Sequence, residues 1–433
     1  MPEDREGHVV LGVNALTLGY LPAAWLWDPR LHAGSPVDGE YWRQIGAIAE
    51  RGTLDALFLA DGPALGDPTY DANNSKLDPT VNWAHLAAAT EHIGLVTTAS
   101  TTFNDPFELA ERLLSLDVAS GGRAGWNIVT TAFDAAARNF GLDAIPDRDR
   151  RYDRAAEFVD LVLALWESAH TGVDVEHHGE EFDLVGRLRV PPSPQGRPRL
   201  VQAGGSTKGR RLAGTRADAV FAAELTREGA IEHYDEVKGY ARQAGRDPAA
   251  VKILPGVLLS LGSTEEEARR RSDELHELGP ASYSVGWLSG VLGIDASQLD
   301  LDAPFPEDVL QTALDPTFAG GVMGFRQSVV KQVRATNPTV REYLRQTRYT
   351  GSGHHGFVGT PEQFVDHVED WFRAGAIDGF NLQPDVLIDG LEVIVDEVVP
   401  LLRERGLFRH EYDGTTLRGH FGGTPAHAGA EAA

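Results

Sequence analysis

Apolar and polar positions along the chain alternate between two periods. Short runs read as buried strands: VVLGVNAL (9–16), ALFLAD (56–61), GLVTTAST (94–101), AGWNIVTT (124–131), RLVQAGG (199–205), DAVFAAE (218–224), VKILPGVLLS (251–260) and GFNLQP (379–384). Between them lie longer runs whose apolar residues recur three and four apart, the spacing of an amphipathic helix. These are 40–52, 80–93, 106–119, 152–168, 226–244, 264–278, 360–375 and 391–406. Strand and helix patterns that alternate through eight units predict an α/β fold, a closed (β/α)8 TIM barrel with insertions, in one domain spanning residues 1–420. A doubly wound open sheet would need a glycine fingerprint after its first strand, and NALTLGY is not one. The insertions fall near 169–198 and 279–358, the second reading as long and irregular, and the Gly/Ala-rich 421–433 is expected to be a disordered tail.

Composition narrows the partners. The 433 residues hold 39 Lys+Arg against 64 Asp+Glu, a formal net charge of -25. Such a surface repels nucleic acid and gains nothing from an anionic membrane. No run approaches 18 continuous apolar residues, and MPEDREGHVV has no signal-peptide pattern, so a cytoplasmic protein is expected. Cysteine is absent, which removes disulfides, thiolate metal sites and thiol nucleophiles.

In a β/α barrel the chemistry sits at the carboxyl ends of the strands. There the pattern places Asp61, Thr97, Thr98, Ser100, Thr101, Asn127, Thr130, Thr131, Gly204, Gly205 and Ser206, with His354 and His355 in the Gly-rich GSGHHG. Carboxylate, amide and hydroxyls suit the polar edge of a planar heterocycle. The AGGS step permits close backbone approach, and its serine opens a helix whose free N–H groups favour a phosphate; Lys208, Arg210 and Arg211 add positive field. The pairs at 177–178 and 354–355 have no third ligand at a fitting offset, so no metal site is expected. Singly, a strand-end Asp or Asn is as often a turn residue, and Gly-Gly-Ser a plain connection.

The motifs FLADG (58–62), GLVTTASTTFNDP (94–106), SGGRAGWNIVTT (120–131), ARNFGLD (137–143), LVQAGGS (200–206), VGTPEQ (358–363), DGFNLQP (378–384) and VVPLLRERGLFRHEYDGTTLR (398–418) resemble, in this order, the bacterial luciferase-like flavin-dependent monooxygenases. The branch with nitrilotriacetate, EDTA, dibenzothiophene-sulfone and pristinamycin-type enzymes is the most similar. The resemblance implies a two-component monooxygenase: a separate NAD(P)H:flavin reductase supplies reduced FMN (FMNH2), and O2 oxygenates a small organic substrate through a flavin (hydro)peroxide. It implies a homodimer or homotetramer.

By the same resemblance Asp61 lies at the ring's polar edge, Asn127 and Thr130 line the flavin pocket, and the Thr97-Thr98 segment matches the strand whose backbone supports the ring, with Thr101 a further cofactor-binding candidate. Gly205, Ser206 and Tyr152 match the phosphate site. His354 matches a family histidine and is expected to donate a proton, its ordinary pKa suiting neutrality; Asn127 is the second candidate for catalysis. Relatives commonly carry a histidine where this chain has Arg148, a second serine at Gly205, and an aromatic residue at Leu16. Aromatic residues expected around the substrate are Trp25, Trp27, Tyr41, Trp42, Tyr283 and Trp287. Competing readings are a deazaflavin-dependent oxidoreductase, whose members lack the GLFRHEYDGTTLR ending, a non-catalytic flavin-binding protein, which tends to be shorter, and a flavin-free barrel hydrolase.

Overall fold

The computed structural model describes residues 5–16, 18–21, 24–65, 76–131, 134–278, 281–315, 323–347 and 354–423. Its strands in chain order are β1 (Val10–Asn14), β2 (Ala56–Leu59), β3 (Gly94–Ser100), β4 (Ala124–Val129), β5 (Val175–His178), β6 (Asp183–Gly186), β7 (Arg199–Gln202), β8 (Ala219–Ala222), β9 (Lys252–Leu261), β10 (His355–Gly359) and β11 (Gly379–Pro384). Eight pair in parallel in the order β1-β2-β3-β4-β7-β8-β9-β11, and β11 returns to β1 to close the barrel. Closure demands close approach: a Cβ on Gly379 would fall 1.8 Å from the Val10 carbonyl oxygen.

Successive residues of a strand face opposite sides, so each barrel strand sends one row into the lumen and one to the helices. On β4 the bulky Trp126 and Ile128 go outward, where Trp126 packs on Phe158 and Trp166 of the helix Arg148–Thr171. That leaves Gly125 and Asn127 for the lumen. The helix starts four residues before its apolar pattern does, because the Asp147 carboxylate accepts from the Asp149 and Arg150 amides and caps it.

The insertions are more regular than their sequence suggests. Residues 169–198 carry the antiparallel hairpin β5–β6, which lays Phe182 and Leu184 on the Phe158 cluster. Residues 279–358, expected to be irregular, contain the helices Ala281–Leu292, Glu307–Leu314, Met323–Thr336 and Val340–Gln346. Leu288, Phe305, Val309, Val330, Val340 and Tyr343 gather there into a cluster of their own. Gly and Pro between short amphipathic helices hid the helical period. The strand β10 also escaped the pattern; it adds to β9 outside the barrel.

Around β10, His355 stacks on His367 at 4.8 Å, and His367 lies 4.9 Å from Trp371 and 5.8 Å from Phe380. Burial, with His355 beside it, holds the His367 imidazole down to about 3.

The carboxyl-terminal segment crosses the foot of the barrel. Arg409 bonds the buried Asp55 carboxylate at 2.7 Å, and the Leu417 amide donates to the Gly122 carbonyl at 3.0 Å. A Cβ on Gly94 would lie 2.5 Å from the Leu417 side chain, so the strand leaves room for this residue. Phe421 is buried beside it, which moves the start of the expected disordered tail beyond 421; residues 424–433 lie outside the described residues.

Leu417→Ala is expected to cost about 2–5 kcal/mol of stability, read from the shift of a urea transition; an unchanged midpoint would remove Leu417 from the core. The depressed pKa of His367 means that the unfolded chain binds the proton more readily. Its stability contribution is complete above the ordinary value of 6.5 and is lost as pH falls toward about 3. His367→Phe should therefore flatten the loss of stability between about pH 7 and pH 5, and an equal loss in variant and parent would refute this.

Candidate active site

The lumen divides into two halves. Toward the foot it is apolar, with Val10, Ala56, Val96, Val201, Ala219 and Leu254 packed on Leu417 and Phe421. Toward the carboxyl ends the same rows turn to amides and a hydroxyl: Asn14 on β1, Thr98 on β3, Asn127 on β4, Asn381 and Gln383 on β11, all at most 5% exposed. Thr98 and Asn127 are in register, and the Asn127 amide donates to the Thr98 hydroxyl at 3.0 Å. The side-chain oxygens of Asn14, Asn127 and Asn381, and both polar atoms of Gln383, find no hydrogen-bond partner among the described residues. A buried polar atom left unsatisfied costs about 1–3 kcal/mol, so such a set belongs to groups that meet a ligand or ordered water.

Over β9 the backbone gives way to side chains. A Cβ on Gly256 would lie 2.6 Å from His354 Nδ1, 2.7 Å from the Phe221 ring and 2.9 Å from Gln383 Nε2. His354 stacks on Phe221 at 4.9 Å and hydrogen-bonds the Ala222 backbone, and burial pushes its pKa down to about 4. The ordinary pKa expected for His354 is thereby corrected downward, and its imidazole is uncharged near neutrality.

Beyond β7 the chain makes a cradle. A Cβ on Gly204 would lie 2.4 Å from Gln202 Nε2 and 2.7 Å from the Tyr152 hydroxyl, while one on Gly205 would meet nothing within 4 Å. Ser206 caps the helix Thr207–Arg216, its hydroxyl accepting from the Gly209 amide at 3.2 Å. The positive field expected from this helix is largely cancelled, since Lys208 reaches Asp153 at 2.9 Å and Arg210 reaches Glu236 at 2.7 Å. Arg148, half-exposed, stands one turn before Tyr152, with only Asp149 as a carboxylate within 4.0 Å among the described residues. The cradle has the donors a phosphate needs, so the residues present fit a flavin mononucleotide: amides for the ring and a helix start for the phosphate.

Other expected residues divide. Asp61 follows β2 at the right end, its carboxylate paired with Lys76. Thr101 is buried with its hydroxyl on the Val129 carbonyl at 3.3 Å, which makes it a brace between β3 and β4. The Thr130 carbonyl accepts from Thr102 and Arg151, and Thr131 beside it holds φ at +39°, a strained value for a β-branched residue. Trp42 and Tyr41 are core residues against Trp83, contrary to their expected place near a substrate. The side chains of Tyr283 and Trp287 lie outside the described residues.

Sequence reasoning passed over Asn14, Asn381 and Gln383. Their signal was available: Asn381 and Gln383 are two apart, and Asn14 shares its row with Gly12. A cavity of about 510 Å³ lies at the other end of the barrel, at the starts of β7 and β8. Its Arg197 and Arg199 share the buried Asp218, and it is remote from the amide-lined mouth. Among the described residues no three His, Asp or Glu side chains are arranged to hold a metal ion.

Comparison with known proteins agrees with this geometry. Residues 24–378 match the luciferase-like monooxygenase family. N-acetyl-S-(2-succino)cysteine monooxygenase of Bacillus subtilis (strain 168) is 38% identical over 437 residues, covering 96% of this chain and 97% of its own. Nitrilotriacetate monooxygenase component A of Aminobacter aminovorans is 39% identical over 415 residues, covering 89% and 90%. The solved structure of EDTA monooxygenase from Chelativorans sp. BNC1 superposes with a TM-score of 0.77 at 32% identity, over 96% of this chain and 99% of that one. The chain is thus similar along nearly its whole length to these enzymes, and it belongs to the luciferase-like monooxygenase family as a flavin-dependent monooxygenase.

Proposed function

We propose that the protein is the oxygenase of a two-component system that takes reduced FMN from a separate NAD(P)H:flavin reductase and uses O2 to oxygenate a small organic substrate. The observation that carries this reading is the set of buried amide atoms at one end of the lumen without partners among the described residues. Bound reduced FMN would supply the two electrons that activate O2, one oxygen atom of which goes to the substrate while the other leaves as water. The chain's own residues orient and shield. Asn127, braced by Thr98, would fix the ring's polar edge, with Asp61 at its rim and Thr101 and Thr130 holding the strand ends beneath it. Gly205, Ser206, Tyr152 and Arg148 would hold the phosphate. His354, neutral and stacked on Phe221, would act as a hydrogen-bonding group toward substrate.

The proposal includes a cytoplasmic setting and a homodimer or homotetramer. The relatives described above are named for small carboxylated compounds, which makes this class the first to screen.

The test is anaerobic titration with reduced FMN, followed by turnover under ¹⁸O2 with candidate substrates. Tight binding and one labelled oxygen in the product are expected; absence of binding would refute the cofactor assignment. Asn127→Ala should weaken reduced-FMN binding about tenfold, the loss of roughly one buried hydrogen bond. Gly205→Ser has room for its side chain. It should tighten FMN about three- to tenfold by adding a hydroxyl to the phosphate site, and an unchanged dissociation constant would remove residue 205 from that site.

A further inference from the structure

Arg210 does not spend its charge on the cradle, yet it touches it. Its Nε donates to the Gly205 carbonyl at 3.1 Å. The rest of the guanidinium is held from behind by Glu236 at 2.7 Å, which also accepts from Tyr240, and by Glu224 at 3.7 Å. Glu224 is fixed in turn by Nδ1 of the fully buried His233 at 2.6 Å. Two carboxylates on one arginine leave little net charge, so whatever Arg210 does for the cradle it does by geometry.

The geometry concerns one peptide unit. The Gly205 carbonyl and the Ser206 N–H belong to the same planar trans peptide, so they point in opposite directions. Gly205 has no side chain and nothing crowds it, so no contact at 205 fixes the tilt of this peptide. Tilted, it would swing the Ser206 N–H away from an anion in the cradle. A hydrogen bond that pins the carbonyl to Arg210 prevents this.

We infer that Arg210 is a positioning residue that aims the Ser206 N–H into the cradle, and that Glu224, Glu236 and His233 hold Arg210 in the pose that does so. The ligand class is a phosphate monoester, the terminal group of the flavin mononucleotide; the inference rests on the cofactor assignment proposed above. Arg210 stands outside the ligand contacts, and its effect is confined to the phosphate end.

That confinement supplies the experiment. Affinities for reduced FMN and reduced riboflavin, which differ only in the phosphate, are measured anaerobically for the parent, Arg210→Gln, Arg210→Lys, Glu224→Gln, Gly205→Ala and the Gly205→Ala/Arg210→Gln double variant. The parent is expected to prefer FMN strongly. Arg210→Gln should reduce that preference about tenfold with riboflavin affinity unchanged, the latter also reporting that the fold is intact. Arg210→Lys keeps the charge but lacks the planar fork, and should not restore the preference. Glu224→Gln should reduce it less. Because alanine at 205 restricts the peptide, Arg210→Gln should cost less in the Gly205→Ala background. A parent that binds both flavins equally would refute the phosphate site, and this inference with it. A parent that prefers FMN, with variants that keep the preference or lose both flavins equally, would overturn the inference alone.

Discussion

Everything in this molecule depends on the two-residue repeat of a strand closed into a ring. Once β11 pairs with β1, each position on eight strands is committed either to the lumen or to the helix layer. The helix side takes the large apolar residues, among them Trp126, Leu57 and Phe380, and burying them stabilises the barrel. The lumen side is thereby free to change character along its length. Apolar packing at the foot holds the ring shut, so the amide atoms at the mouth that find no partner among the described residues do not cost the barrel its cohesion.

The barrel was legible in the sequence because its strands are short, apolar and bounded by turn residues, and all eight lie where the pattern put them. Asn127 and Thr98 were legible as polar residues interrupting an aliphatic run. Asn14, Asn381 and Gln383 were passed over although Asn381 and Gln383 stand two apart on one strand, because only closure brings β1 beside β11 and joins Asn14 to them. The helices of 279–358 were obscured by the Gly and Pro between them, and β10 by the Gly-rich stretch before it. The state of His354 could not be read at all: its lowered pKa follows from burial against Phe221 and the absence of a backbone side chain at Gly256, both tertiary facts.

Charge is handled by cancellation. On the proposed function a chain of net charge -25 would have to attract an anionic cofactor, yet most cations of the helix Thr207–Arg216 are paired with carboxylates. In the proposed site the ligand would meet the backbone of a helix start and Arg148, with the amides of the lumen. Fixed dipoles of this kind are already oriented before the ligand arrives and require no reorganisation. For the proposed anionic cofactor, local order would then have to outweigh the unfavourable long-range field, which falls off within about 8–10 Å at physiological salt.

The segment under the foot has a consequence for the order of events during synthesis. β1 leaves the ribosome first among the strands, but its partner β11 lies more than 360 residues later, and Leu417 and Phe421 follow still later. Until they emerge, one edge of β1 is unpaired and the apolar end of the lumen is open. A nascent chain of this protein therefore carries a sticky, unsealed half-barrel for nearly the whole of its translation, which exposes it to chaperones and to aggregation in proportion to elongation time.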